Sequence, residues 1–273
     1  MLPTSPTPRI RVLPAVLACA LLAGCAATPG GGASRDPFEP VNRRIHAFND
    51  TFDRNVARPA ARGYKAITPD PVEQGIGNFF ANLDDVTVLA NSLLQLKPRK
   101  SARTTARLVF NTTLGLGGIL DVAGLAGIPK QNEDFGQTLG HWGVGTGPYI
   151  VIPFLGPSDV RDGGGRLVDA QYDALDAVTD GAAYYGAYLL SAVDTRARLL
   201  GATDVLDTAA VDPYAFTREA YLRRRANLVH DGNPPPEALP GDAGEEPFDP
   251  FSDDDADLFD EDSGNGASTS PGS

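Results

Sequence analysis

The glycine-rich stretch 111–165 is the feature that most constrains how this chain folds. Fourteen of the chain's thirty glycines lie in it, and glycine weakens helices and strands because its backbone loses the most freedom on ordering. A flexible linker lacks large apolar groups, but this stretch carries Ile119, Leu120, Phe135, Trp142, Tyr149, Ile150, Val151, Ile152, Phe154 and Leu155. We therefore predict an ordered centre of tight turns, with a single candidate strand from Tyr149 to Phe154.

Apolar residues recur at helical spacing on both sides of this centre. Residues 41–56 carry one apolar stripe, and Pro59 is predicted to end that helix. A longer helix is predicted to start at Asp70-Pro71, with the aspartate as N-cap, and to stop before Pro98. Further predicted helices cover residues 97–110, 165–178, 182–200 and 214–229, the last of them capped by Asp212. The predicted fold class is all-α.

The first 24 residues have the features of a signal peptide, with a basic start and an apolar run that ends at Leu22. Leu22-Ala23-Gly24-Cys25 resembles a bacterial lipobox, in which the cysteine becomes the acylated first residue. The other cysteine, Cys19, lies in the discarded segment. An ordinary signal peptide with an incidental cysteine is the alternative, but the position at the cleavage site favours a lipid anchor at Cys25, with residues 25–35 as a linker. Ala26 after the cysteine favours the outer membrane, by resemblance to sorted lipoproteins.

The C-terminal segment 231–273 contains thirteen acidic residues and no lysine or arginine, whereas residues 1–230 are close to neutral. This composition predicts an acidic disordered tail, more simply a solvated spacer than a partner-binding motif. Residues 36–230 are then one domain, long enough to bury a core. Its balanced charge argues against nucleic acid as a partner, and no segment after the signal peptide is apolar enough to span a membrane.

The sequence gives no positive case for an enzyme, a metal site or a cofactor. The three histidines, His46, His141 and His230, are not at metal-ligand spacing. Neither a Gly-x-Ser-x-Gly elbow nor a phosphate-binding Gly-Lys-Ser/Thr loop is present. His141 beside Trp142 is the best catalytic candidate, and a structural role is favoured over it.

The basic helix 97–110 suits a membrane surface that carries phosphate, since its basic side chains share a polar side. A solvated charged face is the alternative. Helix 182–200 has an aromatic start and a basic end, as interfacial helices do. Broad apolar faces, a lipid anchor and no spanning segment together favour helices that lie in the plane of one membrane leaflet.

Several motifs resemble the MlaA (VacJ) family of outer-membrane lipoproteins over about residues 36–225. The opening signature is matched by Asp36-Pro37-Phe38-Glu39, Asn42-Arg43 and Phe48-Asn49. The central motifs are matched by Asn111-Thr112, Leu114 to Gly118, Asp121-Val122-Ala123, Asp134 to Gly140, Gly143-Val144-Gly145, Gly147-Pro148-Tyr149, Pro153-Phe154, Arg161-Asp162, Asp212-Pro213-Tyr214 and Arg218 to Tyr221. Val41 and His46 depart from the family pattern.

The resemblance implies a ring of amphipathic helices in the inner leaflet of the outer membrane, around an amphipathic channel. Phospholipids misplaced in the outer leaflet would enter the channel and pass to a soluble periplasmic carrier similar to MlaC, which maintains lipid asymmetry. Trimeric porins would hold the ring, without enzymatic activity or cofactor. The alternatives are a structural lipoprotein that tethers porins and, less favoured, a phospholipid-modifying enzyme.

The predicted site residues fall into four groups. The channel or gate candidates are Gly115, Gly117, Gly118, Gly124 and Gly127. The candidates for a channel-regulating helix are Asn42, Phe48 and Asn49. The candidates for head-group contacts are Arg43, Arg103 and Arg107, and the predicted lipidation site is Cys25.

Overall fold

The computed structural model describes residues 36–171, 174–179, 181–203 and 211–239. All of them lie in the first of the two units into which the chain divides, Met1–Leu239. The predicted signal peptide, Cys25, the linker and the tail after Leu239 lie outside the described residues. Residues 231–239 of the acidic segment are among those described, and Asp231 pairs with Lys97 at 2.8 Å.

Helices dominate the described residues, as predicted. The helices are α1 (Glu39–Phe52), α2 (Arg58–Ile67), α3 (Asp70–Leu94), α4 (Pro98–Thr113), α5 (Val122–Leu125), α6 (Phe135–His141), α7 (Val160–Asp169), α8 (Ala174–Val178), α9 (Gly181–Arg198) and α10 (Pro213–Val229), followed by a 3-10 turn (Pro236–Ala238). Strands β1 (Tyr149–Ile152) and β2 (Gly156–Asp159) form a two-stranded antiparallel sheet. None of the described helices is long and apolar enough to cross a membrane.

The prediction that Pro59 ends the first helix is wrong. A π-helical turn over Asp53–Ala57 carries the chain from α1 into α2, and the Arg58 N–H bonds the Asp53 carbonyl. Pro59 then lies in the first turn of α2, directly after the π-helical turn, where the regular i→i−4 hydrogen-bond pattern is already interrupted and the missing proline N–H is tolerated. The chain therefore stays helical to Ile67.

The predicted N-cap of the long helix is also wrong. Pro69 occupies the cap position of α3 and Asp70 is the first helical residue, without a capping hydrogen bond. The predicted stop before Pro98 is confirmed, since α3 ends at Leu94 and Pro98 begins α4. Leu96 in the turn between them adopts a left-handed φ of 55°.

The candidate strand is confirmed as β1, and its partner β2 was not predicted. Tyr149 pairs with Asp159 and Ile152 with Gly156 across the hairpin. The main apolar cluster of the described residues lies here, where Tyr149, Val151 and Tyr214 of α10 pack together.

The predicted helix 165–178 is two helices in the structure. α7 begins earlier, at Val160, because the Asp159 side chain accepts a hydrogen bond from the Asp162 N–H. α7 packs tightly on α6, and a Cβ on Gly165 would lie 2.5 Å from the backbone nitrogen of Gly136. Glycine is needed at this crossing.

Candidate functional site

The described residues bury polar side chains and expose apolar ones. Twenty buried residues are polar or charged, against nine that are hydrophobic, and thirty large hydrophobic residues are exposed. A water-soluble domain shows the opposite preference, because the apolar surface is what water drives inward. A surface that contacts hydrocarbon has no such requirement, whereas interior polar groups must be paired.

The glycine-rich loop between α4 and α6 is fixed at its base by Asn111. The Asn111 amide donates to Asp121 Oδ1 at 2.9 Å, and its oxygen accepts from the Ala123 N–H at 2.9 Å. Asp121 caps α5 by accepting from the Gly124 N–H at 3.0 Å. One buried asparagine thus holds both the cap and the first turn of α5.

Charged groups clamp the same loop to α3. Arg107 of α4 is 3% exposed and reaches Asp85 at 3.2 Å, Asp121 at 3.1 Å and the Ile128 carbonyl at 2.7 Å. Lys130 bonds Asp85 at 2.8 Å from the other end of the loop. All three nitrogens of the Arg107 guanidinium are engaged, and this environment does not favour the predicted head-group role of Arg107.

Between these clamps the loop exposes its apolar side chains. The most exposed are Leu125, at 91%, and Leu116, at 70%. Asn78 of α3 donates to the Ile119 carbonyl of the loop, and Asn82 of α3 donates to Thr112 Oγ1 at the end of α4, at 3.1 Å each. The loop therefore has a polar inner side and an apolar outer side.

The five gate candidates differ in what their glycines do. A Cβ on Gly115 would lie 2.2 Å from the Leu120 carbonyl oxygen, and a Cβ on Gly118 would lie 2.5 Å from that of Asn82. Gly124 packs on the Asp121 carboxylate. Gly117 and Gly127 have φ of 73° and 77° and no neighbour within 4 Å of a Cβ. Close packing thus requires glycine at positions 115, 118 and 124, and a positive φ favours glycine at positions 117, 118 and 127. The gate itself stays a prediction.

Two asparagines of the predicted regulating helix bind the hairpin edge. Asn42 donates to the Tyr149 carbonyl at 3.0 Å and accepts from the Val151 N–H at 2.9 Å. Seven residues later, Asn49 donates to the Ile152 carbonyl at 3.0 Å and accepts from the Phe154 N–H at 2.8 Å. Each side-chain amide makes the two hydrogen bonds that a residue of a neighbouring strand would make. In this way α1 covers the edge of β1 that does not pair with β2.

Aromatic rings complete this junction. Phe48 and Phe52 meet the Phe154 ring edge to face, with centroids 5.2 and 5.0 Å apart. Phe154 lies in the hairpin turn with a φ of 64° and is 64% exposed. The structure therefore brings all three regulating-helix candidates to the β-hairpin, not to the glycine-rich loop.

Arg43, a head-group candidate, is exposed and already paired. It bonds Glu39 at 2.7 Å and Asp212 at 2.9 Å, and it lies 4.4 Å from the centroid of the Tyr214 ring. The hydrogen bond from Arg43 holds the pKa of Asp212 at about 2. Arg103, by contrast, is exposed on α4 and makes no ion pair with a described residue.

A buried cluster that the sequence analysis did not single out joins α6, α7 and α10. Arg225 forms ion pairs with Asp134 at 2.6 Å and with Asp162 at 2.5 Å, and the Tyr221 hydroxyl donates to Asp162 at 2.7 Å. Burial of Asp134 raises its pKa, but the hydrogen bond and charge of Arg225 have the larger combined effect and lower the pKa of Asp134 to about 2. Asp134, Asp162 and Tyr221 belong to the quoted motifs, which was the only signal for this cluster.

Asp159 is the exception in that cluster, because it has no strong cationic partner. It is fully buried, and the nearest guanidinium nitrogen, of Arg161, is 3.9 Å away. Burial first, and then the charge of Asp162, raise the pKa of Asp159 to about 7.

Two small cavities border these networks. The first has a volume of about 290 Å³ and lies between Arg161, Arg225 and the glycines of residues 140–147. The second has a volume of about 330 Å³, with Asp84, Asp134 and Asp169 beside apolar side chains of α3 and α9. No group of three or more potential metal ligands occurs among the described residues.

The sequence matches the family described as MlaA lipoprotein over residues 34–228. The chain belongs to the MlaA lipoprotein family. It is similar to proteins named intermembrane phospholipid transport system lipoprotein MlaA from Shigella flexneri and Haemophilus influenzae, at 37% and 34% identity. The alignments cover 85% of this chain and 94% and 96% of those proteins.

A solved structure has the same fold. It comes from work on the structural basis for maintenance of bacterial outer membrane lipid asymmetry, and the TM-score is 0.64 at 35% identity. The match covers 71% of this chain and 98% of the solved chain. The predicted family and fold class are confirmed by these similarities.

Proposed function

We propose that this MlaA family member removes phospholipids from the outer leaflet of the outer membrane and passes them to a soluble periplasmic carrier, so that lipid asymmetry is maintained. The relatives named above are phospholipid transport lipoproteins, and the proposal extends that activity to this chain. No step of it needs an enzyme or a cofactor.

The inverted burial pattern is the observation that carries the proposal. The exposed apolar residues of α1, α3 and α9 suit contact with lipid tails, while most of the buried side chains of the described residues are polar or charged. A phospholipid has a charged head and apolar tails, and burial of an unpaired charged head in hydrocarbon costs several kcal/mol. A polar interior inside an apolar exterior lets the head cross while the tails stay near lipid.

The glycine-rich loop is our candidate for the moving part of this path. Asn111 and Arg107 hold Asp121 and Ala123 within this loop, so the segments on either side of that contact, 115–120 and 124–127, are the candidates for motion. Left-handed glycines at positions 117 and 127 allow those segments to bend, as lid loops do. Arg43 and Arg103 are the remaining candidates for head-group contacts.

The anchor and the partners are part of the same proposal. Acylation of Cys25 with several chains would hold the protein permanently at the periplasmic face of the outer membrane. Trimeric porins would position it there, and the soluble carrier would meet it from the periplasm.

The decisive experiment measures phospholipid in the outer leaflet of cells that lack the protein. We expect this phospholipid to rise, and we expect the wild-type chain but not a Cys25→Ala chain to reverse the rise. An unchanged leaflet composition, with porin binding intact, would instead support the structural tether. Release of lysolipid or free fatty acid by the purified protein would support the lipid-modifying enzyme.

A further inference from the structure

The turn between α3 and α4 presents an apolar corner beside unpaired arginines. We define the Leu–Trp corner as Leu93, Leu94, Leu96 and Trp142. Their exposed fractions are 58%, 52%, 74% and 60%. The Trp142 indole N–H donates to the Leu94 carbonyl at 3.2 Å, so the tryptophan and the leucines form one surface.

The corner is held outward by buried polar contacts. Gln95, in the middle of the leucines, is 1% exposed and donates to Glu133 at 2.7 Å and to Thr138 at 3.1 Å. Because these hydrogen bonds hold Gln95 in the interior, the next residue, Leu96, lies at the surface. Its backbone has a left-handed conformation that leucine rarely adopts. Exposure of the Leu96 side chain to water does not offset the cost of its backbone conformation, whereas burial of that side chain in lipid would stabilise it.

The basic residues that follow the corner in the sequence are of two kinds, paired lysines and arginines without an ion pair. Lys97 and Lys100 are neutralised by Glu133 and Asp231, which contact both lysines. Arg99 and Arg103, one helical turn apart on α4, are exposed and make no ion pair with any described residue. Two guanidinium groups thus remain for an external anion, and arginine binds phosphate with paired hydrogen bonds.

We infer that the Leu–Trp corner inserts at the boundary between head groups and hydrocarbon, and that Arg99 and Arg103 bind the phosphates of anionic phospholipids there. Tryptophan is enriched at this depth of a bilayer, and basic side chains next to an inserted apolar group add electrostatic attraction to it. The inference rests on the proposed membrane residence and adds which corner contacts the interface and which lipid class it prefers.

Trp142 is the chain's only tryptophan, so its fluorescence reports on this corner alone. The purified mature protein is reconstituted into vesicles of equal parts phosphatidylcholine and phosphatidylglycerol, with bromine on the chains of one lipid at a time. Bromine quenches tryptophan only at close approach. We expect shallow bromines to quench more than deep ones, and phosphatidylglycerol to quench more than phosphatidylcholine, since one arginine contributes roughly five-fold in local preference for an anionic lipid.

The variant R99Q/R103Q removes the two arginines from the exposed surface and should leave folding intact. We expect the two lipids to quench equally in this variant. The matched control R44Q/R224Q removes the same charge at two exposed arginines elsewhere, and we expect it to keep the preference for phosphatidylglycerol.

Two results would overturn the inference. An unquenched Trp142 in vesicles that contain the protein would place the corner outside the membrane and point to a protein partner. Equal quenching by both lipids in the wild-type chain would remove the phosphate contact. Either result leaves the proposed transport intact if the same chain still restores outer-leaflet lipid composition in cells.

Discussion

Gly117 and Gly118 are neighbours in the loop but are required for different reasons. A Cβ at position 118 would collide with Asn82, whereas one at position 117 would meet open space. Both have a left-handed φ. Only Gly117, together with Gly127, can therefore report on loop flexibility without disturbing packing.

We expect Gly118→Ala to destabilise the protein by about 3 kcal/mol, because overpacking adds to the cost of a left-handed alanine. Gly117→Ala should cost about 1 kcal/mol, from the backbone alone. Urea unfolding in detergent, followed by circular dichroism, measures both, and Gly127→Ala is the control for an open left-handed site. Equal losses at positions 117 and 118 would contradict the packing argument.

Asp159 predicts a specific dependence of stability on pH. Its pKa is about 7 in the folded protein and about 3.9 in the unfolded chain. The folded state therefore binds this proton more tightly, and its stability falls as pH rises from about 4 to about 7, by at most about 1.4 kcal/mol per pH unit for one proton.

Asp159→Asn keeps an oxygen for the α7 cap and cannot ionise. We therefore expect the stability of this variant not to show the decrease between about pH 4 and about pH 7. The free energy of unfolding at pH 5, 6, 7 and 8 gives the comparison with the wild type. Asp134→Asn is the contrasting control, because the pKa of Asp134 is lowered to about 2 and its stabilisation is lost only as pH falls below about 4. Parallel curves for Asp159→Asn and wild type would refute the assignment.

At the scale of elements, α1 and the β-hairpin depend on two asparagines in unequal surroundings. Asn42, Tyr149 and Val151 are buried, whereas Phe154 beside Asn49 is exposed. We expect Asn42→Ala to cost about 3 kcal/mol, because it leaves a buried carbonyl and a buried N–H unpaired. Asn49→Ala should cost about 1 kcal/mol, because its partners lie on Ile152 and Phe154, which are half-buried and exposed.

Hydrogen exchange tests which contact is lost. The Val151 amide should exchange faster in Asn42→Ala, and the Phe154 amide faster in Asn49→Ala, while the other amide of each pair changes less. Similar destabilisation by both substitutions would show that burial does not set the difference.

Periodicity predicted the helices because apolar spacing is a local property of the chain. It failed at Pro59 and Asp70, where a π turn and a preceding proline decided the boundary. β2, which contains glycine, proline and two polar residues, carries no strand pattern. Its pairing depends on β1 and on the cover from α1. The site candidates came from motif likeness and from residue type, and Arg107 shows the limit: a basic residue on a helix gives no sign of the carboxylates that other segments bring to it.

At the scale of the whole molecule, the polar interior and the apolar exterior have one physical cause. Ion pairs around Asp85 and Asp162 place opposite charges side by side in the interior. Our proposal is that the exposed leucines and aromatic residues contact lipid, since large apolar patches exposed to water favour association.

Lipid contact at α9 can be measured directly. Leu189, at 64% exposure, is predicted to face hydrocarbon, and Asn132, an exposed polar residue before α6, is predicted to face water. A spin label on Leu189→Cys in reconstituted vesicles should therefore collide more with oxygen, which concentrates in lipid, than with a water-soluble nickel complex. The label on Asn132→Cys should show the reverse order. Greater nickel than oxygen accessibility at position 189 would mean that this apolar face contacts water, and the inverted burial pattern could not then be explained by residence in a leaflet.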